Sequence, residues 1–172
     1  MDSSQQSEAT RQVDVSVVIG FRDWGLRRIR LAGESVQSSF GRFNGEVIIS
    51  DYGSVDPEAN KALAEELGCP YVYTPSAVWS RSRALNAGFA ISHGELLVST
   101  DADMIFSPDS FDRIVALSKR QPQAAFFQQC RDLPEGMDDA WVEENPGAWE
   151  ELEHASQLRP RWGMGGMMAI PR

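Results

Sequence analysis

Two carboxylates that flank one small residue, Asp101-Ala102-Asp103, are the part of this sequence best suited to chemistry. Carboxylate oxygens are the hard ligands that Mg²⁺ and Mn²⁺ prefer. Such ions keep several waters and take substrate phosphates in their remaining positions, which stabilises a departing diphosphate. The spacing therefore predicts a divalent-metal site, with Mn²⁺ or Mg²⁺ held by Asp103 and Asp101. The alternative is a loop of solvated acids, because this spacing is common by chance.

Two other positions carry side chains that could contact a nucleotide. Asp51 directly follows an apolar run, and an acid there can accept hydrogen bonds from a base or a ribose. A turn or cap residue is the alternative at that position. Arg83 lies three residues before Asn86, so that the two share one helix face. An arginine there can pair with phosphate, and a surface ion pair with an acid is the alternative.

An alternation of strands and helices positions these residues. The predicted strands cover residues 13–20, 46–50, 71–73, 95–100, 124–129 and 164–170, and the predicted helices cover residues 26–40, 58–67, 80–92, 107–117 and 146–158. This order predicts an α/β fold with a mainly parallel central sheet flanked by helices. Ligands of such sheets bind at the carboxyl ends of the strands. Asp23, Asp51, Asp101 and Asp103 follow predicted strands, so we expect them at one edge.

Length and charge limit the number of domains and the choice of ligands. The 172 residues, 42% of them hydrophobic, suffice for one domain with a core, which we place at residues 13–172. Residues 1–12 are polar and predict a disordered tail. The net charge of -9 disfavours broad nucleic-acid binding. An acidic protein that handles a diphosphate usually needs a divalent cation to offset the repulsion.

Cysteine use and hydropathy predict the compartment. Cys69 and Cys130 are far apart and have neither metal-site spacing nor a disulfide framework, which favours two small buried residues. The N-terminus has no apolar signal-peptide core, and no run approaches the roughly 18 apolar residues of a transmembrane helix. The sequence predicts a cytoplasmic protein without a transmembrane segment.

Four segments, in this order, resemble motifs of family 2 glycosyltransferases. Residues 15–19 resemble the opening strand of the family, and residues 47–54 resemble its "VVDDGS" element. Residues 82–92 resemble the "ARNxG" helix, and residues 94–104 resemble "GEYIxFLDAD". Each motif is weak alone, but the joint pattern is specific and covers about residues 13–117.

The resemblance implies a GT-A fold, which is an α/β sandwich that binds a sugar nucleotide through a metal. Two departures concern the base and the sugar. The first loop reads Gly20-Phe21-Arg22-Asp23 where the family usually has Pro-Thr/Ala-Tyr-Asn, and Tyr52 replaces the second acid of "DDGS". The resemblance implies a role for each matching position. Gly20, Phe21 and Asp51 would contact the base and the ribose, and Arg83 would lie near the diphosphate. Asp101, beside Ala102, would contact the ribose or the metal, and Asp103 would bind the metal.

A glycine-rich segment near the C-terminus resembles the "GG-x-x-A" strand that lines the donor sugar in many family members. Gly165 and Gly166 would let the backbone approach the sugar closely, and a bulged edge strand is the alternative. His154 is a candidate third metal ligand, as a histidine is in some relatives, or an ordinary surface histidine.

In inverting members of this family, the general base is an acid in a "GWGGED"-like segment after the glycine strand. The sequence stops at Arg172, so we expect the acceptor and base segment to be missing. A partner chain or a second copy could supply it. Glu150 and Glu151, in a tryptophan-rich region, are weak candidates for the base and are otherwise solvated helix acids.

The sequence therefore predicts a metal-dependent glycosyltransferase that moves a sugar from a nucleotide diphosphate donor, a UDP-sugar, to an unknown acceptor hydroxyl. The alternative is a non-catalytic or partner-dependent module that binds the nucleotide sugar. A sugar-1-phosphate nucleotidyltransferase is disfavoured because residues 20–25 match its glycine-rich basic loop poorly. A dinucleotide oxidoreductase is disfavoured because no G-x-G-x-x-G follows the first strand.

Overall fold

The computed structural model describes residues 12–160 and 166–172. The predicted tail therefore lies outside the described residues except for Gln12, and so does Gly165. The strands are β1 (Val15–Phe21), β2 (Gly45–Tyr52), β3 (Tyr71–Thr74), β4 (Leu96–Thr100), β5 (Phe126–Phe127), β6 (Arg131–Asp132), β7 (Gln157–Leu158) and β8 (Met167–Pro171). The helices are α1 (Leu26–Ser38), α2 (Pro57–Glu66), α3 (Arg81–Ala90), α4 (Ser110–Arg120), α5 (Asp139–Glu144) and α6 (Trp149–Ala155).

Six of these strands form one sheet in the order β3-β2-β1-β4-β8-β5. The strands β1 to β4 are mutually parallel where they pair, and β8 runs antiparallel to both β4 and β5. A second sheet consists of β6 and β7 alone. The predicted α/β fold with a mainly parallel central sheet is therefore confirmed.

The strand β1 lies at the centre of the protein, and all seven of its residues are buried. Its β-branched run is buried on both faces, as expected for a parallel strand covered by helices on each side. Ile29 of α1 and Phe111 of α4 lie in the hydrophobic cluster on one face, whereas Leu85 of α3 packs with Val18 and Ile48 on the other. No helix in the described part of the chain is long and apolar enough to cross a membrane.

The helix α3 packs very closely on β1 because a glycine faces the strand. A Cβ atom added to Gly88 would lie 2.4 Å from Cγ1 of Val18, which is closer than two non-bonded carbon atoms can approach. Gly20, at the end of β1, faces the same helix, and its Cβ would lie 3.2 Å from Cδ2 of Leu85. These two glycines set how near the beginning of α3 comes to the end of β1.

The predictions for residues 131–158 were wrong in detail. The structure has β6 and α5 between the predicted strand 124–129 and the predicted helix 146–158, where no element was predicted, and that helix is shortened to α6. The carboxylate of Asp138 caps α5 by accepting hydrogen bonds from the amides of Ala140 and Trp141. The polar composition of this segment had not indicated a helix. Gly147, with a φ of 86°, separates the two helices.

Candidate functional site

A cavity of about 410 Å³ opens at the carboxyl ends of β1 and β4. These two strands are parallel neighbours, with Ile19 in register with Thr100, so the loops that follow them face each other. The lining residues are Gly20, Phe21, Arg22, Asp23, Trp24, Trp79, Arg81, Asp101, Ala102 and Asp103. Cavities of about 580 and 680 Å³ lie elsewhere, but only this one of the three contains the Asp-x-Asp turn.

The Asp-x-Asp turn is fixed by backbone contacts and by one arginine. The amide of Asp101 donates to the carbonyl of Gly166 at 3.0 Å, and the small side chain of Ala102 is buried beneath the turn. Nε of Arg81 donates to Oδ1 of Asp101 at 2.7 Å, and the two side chains are 44% and 42% exposed. Asp103 is exposed, and its carboxylate accepts no hydrogen bond from any residue in 12–160 or 166–172.

The donor set of this turn fits a hydrated Mg²⁺ or Mn²⁺ ion. Two carboxylates on one tight turn supply the few protein oxygens that such an ion needs beside its waters and a phosphate. Among the described residues, no group of three or more His, Cys, Asp or Glu side chains could hold a metal. His154 is therefore not brought together with Asp101 and Asp103, and its Nδ1 lies 3.3 Å from the carbonyl oxygen of Glu150.

Asp51 is placed inside the protein and is not among the cavity-lining residues. It is fully buried, and its Oδ1 accepts a hydrogen bond from the amide of Ser54 at 3.1 Å. Its Oδ2 accepts from Nδ2 of Asn60 at 2.8 Å and from the hydroxyl of Tyr71 at 3.0 Å. Burial, together with the Asp51 charge, raises the pKa of Tyr71 above the usual range and keeps its phenol a donor. This arrangement favours the alternative of a turn residue over a ligand contact.

Arg83 is not among the described residues that line the cavity, and it lies beside Tyr52. The hydrogen bond from Arg83, with a further one involving Ser76, lowers the pKa of the Tyr52 phenol. Tyr52 itself is buried and packs edge-on against Trp79, with ring centroids 6.2 Å apart. Among the described lining residues, the guanidinium groups come from Arg22 and Arg81.

Arg81 lines the cavity and was not among the residues predicted from the sequence. When the Asn-x-Gly part of "ARNxG" is placed on Asn86 and Gly88, the arginine of the motif falls on Leu85. Leu85 is buried in the core, so it cannot contact a ligand. Arg81 lies four residues earlier, one turn along the same helix face, and that spacing was the available signal.

The loop after β1 contributes an aromatic wall and a strained turn. Asp23 has a φ of 51°, and its Oδ1 accepts a hydrogen bond from the amide of Val55 at 2.8 Å. This bond ties the loop to the segment after β2. Trp24 and Trp79 are 41% and 42% exposed on the lining of the cavity. Neither tryptophan could be recognised from the sequence pattern, because both lie in turns without periodicity.

The other predicted residues differ in their placement. Gly166 lies against the acidic turn, and a Cβ there would be 2.8 Å from Cγ of Met104 and 3.1 Å from Oδ2 of Asp101. A side chain at this position would therefore require Met104 to shift and would crowd the carboxylate of Asp101. Glu150 and Glu151 are exposed on α6 and do not line the cavity.

The sequence matches the family described as Glycosyl transferase family 2 over residues 26–170. This match spans most of the chain, so the protein belongs to that family. It extends through α5, α6 and β8, beyond the region of the motifs that indicated the resemblance. No curated protein sequence matches the chain significantly.

Solved structures share the fold at low sequence identity. The mannosyltransferase PcManGT from Pyrobaculum calidifontis, in complex with GDP-Man and Mn²⁺, is 20% identical with a TM-score of 0.57, over 95% of this chain and 46% of that one. S. aureus TarS is 14% identical with a TM-score of 0.57, over 72% and 23%. The 4-diphosphocytidyl-2C-methyl-D-erythritol synthase from Anaerococcus prevotii is 12% identical with a TM-score of 0.52, over 92% and 71%.

These likenesses confirm the GT-A type of fold that the sequence predicted. At such identities they show the fold alone. The chain spans less than half the length of PcManGT and about a quarter of the length of TarS.

Proposed function

We propose that this protein binds a nucleotide diphosphate sugar, a UDP-sugar, in the cavity between the β1 and β4 loops and transfers the sugar to an acceptor hydroxyl. The observation that carries the proposal is the composition of that cavity. It places an Asp-x-Asp turn, an arginine and two exposed tryptophans together at the carboxyl edge of the sheet. Family membership supplies the class of reaction.

The charge of the cavity supports a metal-dependent site. Three carboxylates (Asp23, Asp101 and Asp103) and two guanidinium groups (Arg22 and Arg81) line it, in a chain whose net charge is -9. A diphosphate would be repelled by this surface unless a cation accompanied it. Asp101 and Asp103 would hold a divalent ion, which when bound neutralises charge on the leaving diphosphate.

The remaining lining residues would bind and orient the donor. Arg81 has a planar fork that suits phosphate oxygens. Trp24 and Trp79 offer aromatic faces on which a base or a sugar ring can stack. PcManGT was solved with GDP-Man and Mn²⁺, and TarS 1–349, with a TM-score of 0.51, was solved with UDP. Ligands of this chemistry on related folds support the proposal for this chain.

Calorimetric titration of the purified protein with UDP, GDP and their common sugar conjugates tests the proposal. Each titration is made with Mn²⁺ and repeated with EDTA. We expect UDP and a UDP-sugar to bind with Mn²⁺ and to lose that binding with EDTA. Binding of GDP alone would correct the base, and no binding of either nucleotide would refute the donor site.

A second candidate function is donor binding without transfer. Among the described lining residues, the one acid outside the predicted metal pair is Asp23, and its carboxylate is already engaged with the amide of Val55. That leaves no unengaged candidate for a general base on the described cavity wall. Release of UDP from bound UDP-sugar, followed by chromatography with and without sugar acceptors, separates the two functions. Binding without any release would favour the non-catalytic module or a partner that completes the site.

A further inference from the structure

The ion pair between Arg81 and Asp101 occupies the place where the proposed metal would bind. Arg81 is the first residue of α3, and its Nε lies 2.7 Å from Oδ1 of Asp101. Among the described residues, neither of these two side chains makes another hydrogen bond. Asp101 is therefore paired with a side-chain cation, whereas the carboxylate of Asp103 is paired with none of the described residues.

A guanidinium group and a metal ion compete for the same carboxylate. Both are cations, so a divalent ion at Asp101 repels Arg81 while it weakens the attraction that holds the pair. The pair is half-exposed on both sides, and exposed ion pairs contribute little net stability, so it can separate at small cost. A guanidinium group released in this way binds phosphate oxygens through two parallel hydrogen bonds.

We propose that Arg81 couples the metal to the diphosphate: it pairs with Asp101 in the free protein and moves to the diphosphate when the metal takes its place. This inference rests on the proposed donor function. Arg81 opposes binding of the metal alone and favours binding of the metal together with a diphosphate. The two ligands therefore bind cooperatively, because each removes a cost that the other would meet by itself.

The first test compares Mn²⁺ binding, without any nucleotide, in the wild-type protein and in Arg81→Gln. Free Mn²⁺ is followed by electron paramagnetic resonance during titration with MnCl₂. We expect the variant to bind Mn²⁺ about three- to fivefold more tightly, which is the size of effect that an exposed ion pair can have. Binding that becomes measurable only in the variant gives the same answer. Arg113→Gln, which removes an equal charge from an exposed site on α4, is the matched control and should bind Mn²⁺ as the wild type does.

The second test titrates UDP at saturating Mn²⁺. Here the order reverses, and Arg81→Gln should bind UDP about tenfold more weakly than the wild type because the phosphate contact is lost. Arg81→Lys keeps the charge without the planar fork and should lie between the two in both titrations. Circular dichroism and thermal unfolding of each variant check that α3 and the fold are intact.

The outcomes separate the inference from the function on which it rests. An unchanged Mn²⁺ affinity in Arg81→Gln overturns the competition at Asp101, whatever the nucleotide result. Tighter Mn²⁺ binding with unchanged UDP affinity overturns the transfer of Arg81 to the diphosphate. Failure of the wild type to bind UDP or GDP with Mn²⁺ refutes the donor function. The Mn²⁺ titrations then still decide whether Arg81 competes with the metal for Asp101.

Discussion

Asp51 is a buried carboxylate that holds a loop beside the candidate site. Its two oxygens accept three hydrogen bonds, from the amide of Ser54, from Asn60 and from Tyr71. Ser54 in turn accepts a hydrogen bond from the amide of Asp23, which lies on the cavity wall. The carboxylate thus positions the first loop through one intermediary.

Replacing Asp51 with Asn should destabilise the protein and leave ligand binding largely intact. The amide keeps one acceptor but presents a donor to Asn60 or Tyr71, so we expect the free energy of unfolding to fall by about 1–3 kcal/mol. Urea unfolding measures that loss, and calorimetry with Mn²⁺ and UDP measures binding in the folded variant. Lost UDP binding at unchanged stability would instead restore the nucleotide contact that the sequence predicted for Asp51.

Asp103 is the residue whose removal should most directly affect metal-dependent binding. It is exposed, and no described residue donates to its carboxylate, so Asp103→Ala should leave the fold intact and abolish Mn²⁺-dependent binding of UDP. Asp109→Ala removes another exposed carboxylate six residues away and should bind normally. Calorimetric titration of both variants decides the matter. Unchanged nucleotide affinity in Asp103→Ala would show that the metal site lies elsewhere.

At the scale of elements, the contact between α3 and β1 determines where the cavity wall stands. Gly88 lets the helix rest on Val18, and Trp79 and Arg81 at the start of that helix line the cavity. A small outward shift of α3 would therefore move both side chains away from the Asp-x-Asp turn.

Gly88→Ala should push α3 away from β1. The added Cβ would lie 2.4 Å from Cγ1 of Val18, and overpacking of this kind lowers the free energy of unfolding by about 1–3 kcal/mol. We expect UDP affinity to fall as well, because Arg81 moves with the helix. Gly136→Ala is the control, since its Cβ would meet nothing within 4 Å. Urea unfolding and UDP titration test both variants. Equal stability of the two would mean that α3 adjusts without cost.

The sequence predicted the central elements well because each carries a strong local pattern. The continuous β-branched run of β1 and the apolar run of β4 can hardly be anything but buried strands, and the acids after them must then share one edge. In contrast, α5 and β6 are short and polar, and their formation depends on a cap at Asp138 and on pairing with β7. The one-turn spacing between Arg81 and the motif position Leu85 indicates Arg81 rather than Arg83 only once Leu85 is known to be buried.

Across the whole molecule, α5 is an element that packs on α1 and contains no buried residue. No residue of α5 is buried, and two exposed ion pairs join the helix to α1. Nε of Arg28 lies 2.6 Å from Oδ2 of Asp139, and Nε of Arg27 lies 3.1 Å from Oε2 of Glu143. Arg28 also lies over the ring of Trp24, at 5.5 Å from its centroid. The tie between α5 and the cavity wall is therefore electrostatic.

Salt should loosen α5 before it affects the sheet. Raising NaCl from about 0.05 M to about 1 M shortens the screening length to roughly 3 Å, so the two ion pairs lose most of their attraction. If each contributes about 0.5 kcal/mol, amide exchange in residues 139–144 should become about fivefold faster. Hydrogen exchange read by mass spectrometry measures this rate, and the amides of β1, which lies buried at the centre of the sheet, are the internal control.

Arg28→Gln should reproduce part of the effect at low salt. If neither salt nor Arg28→Gln changes the exchange rate, the half-buried Trp141 and Val142, rather than the ion pairs, hold α5 on α1.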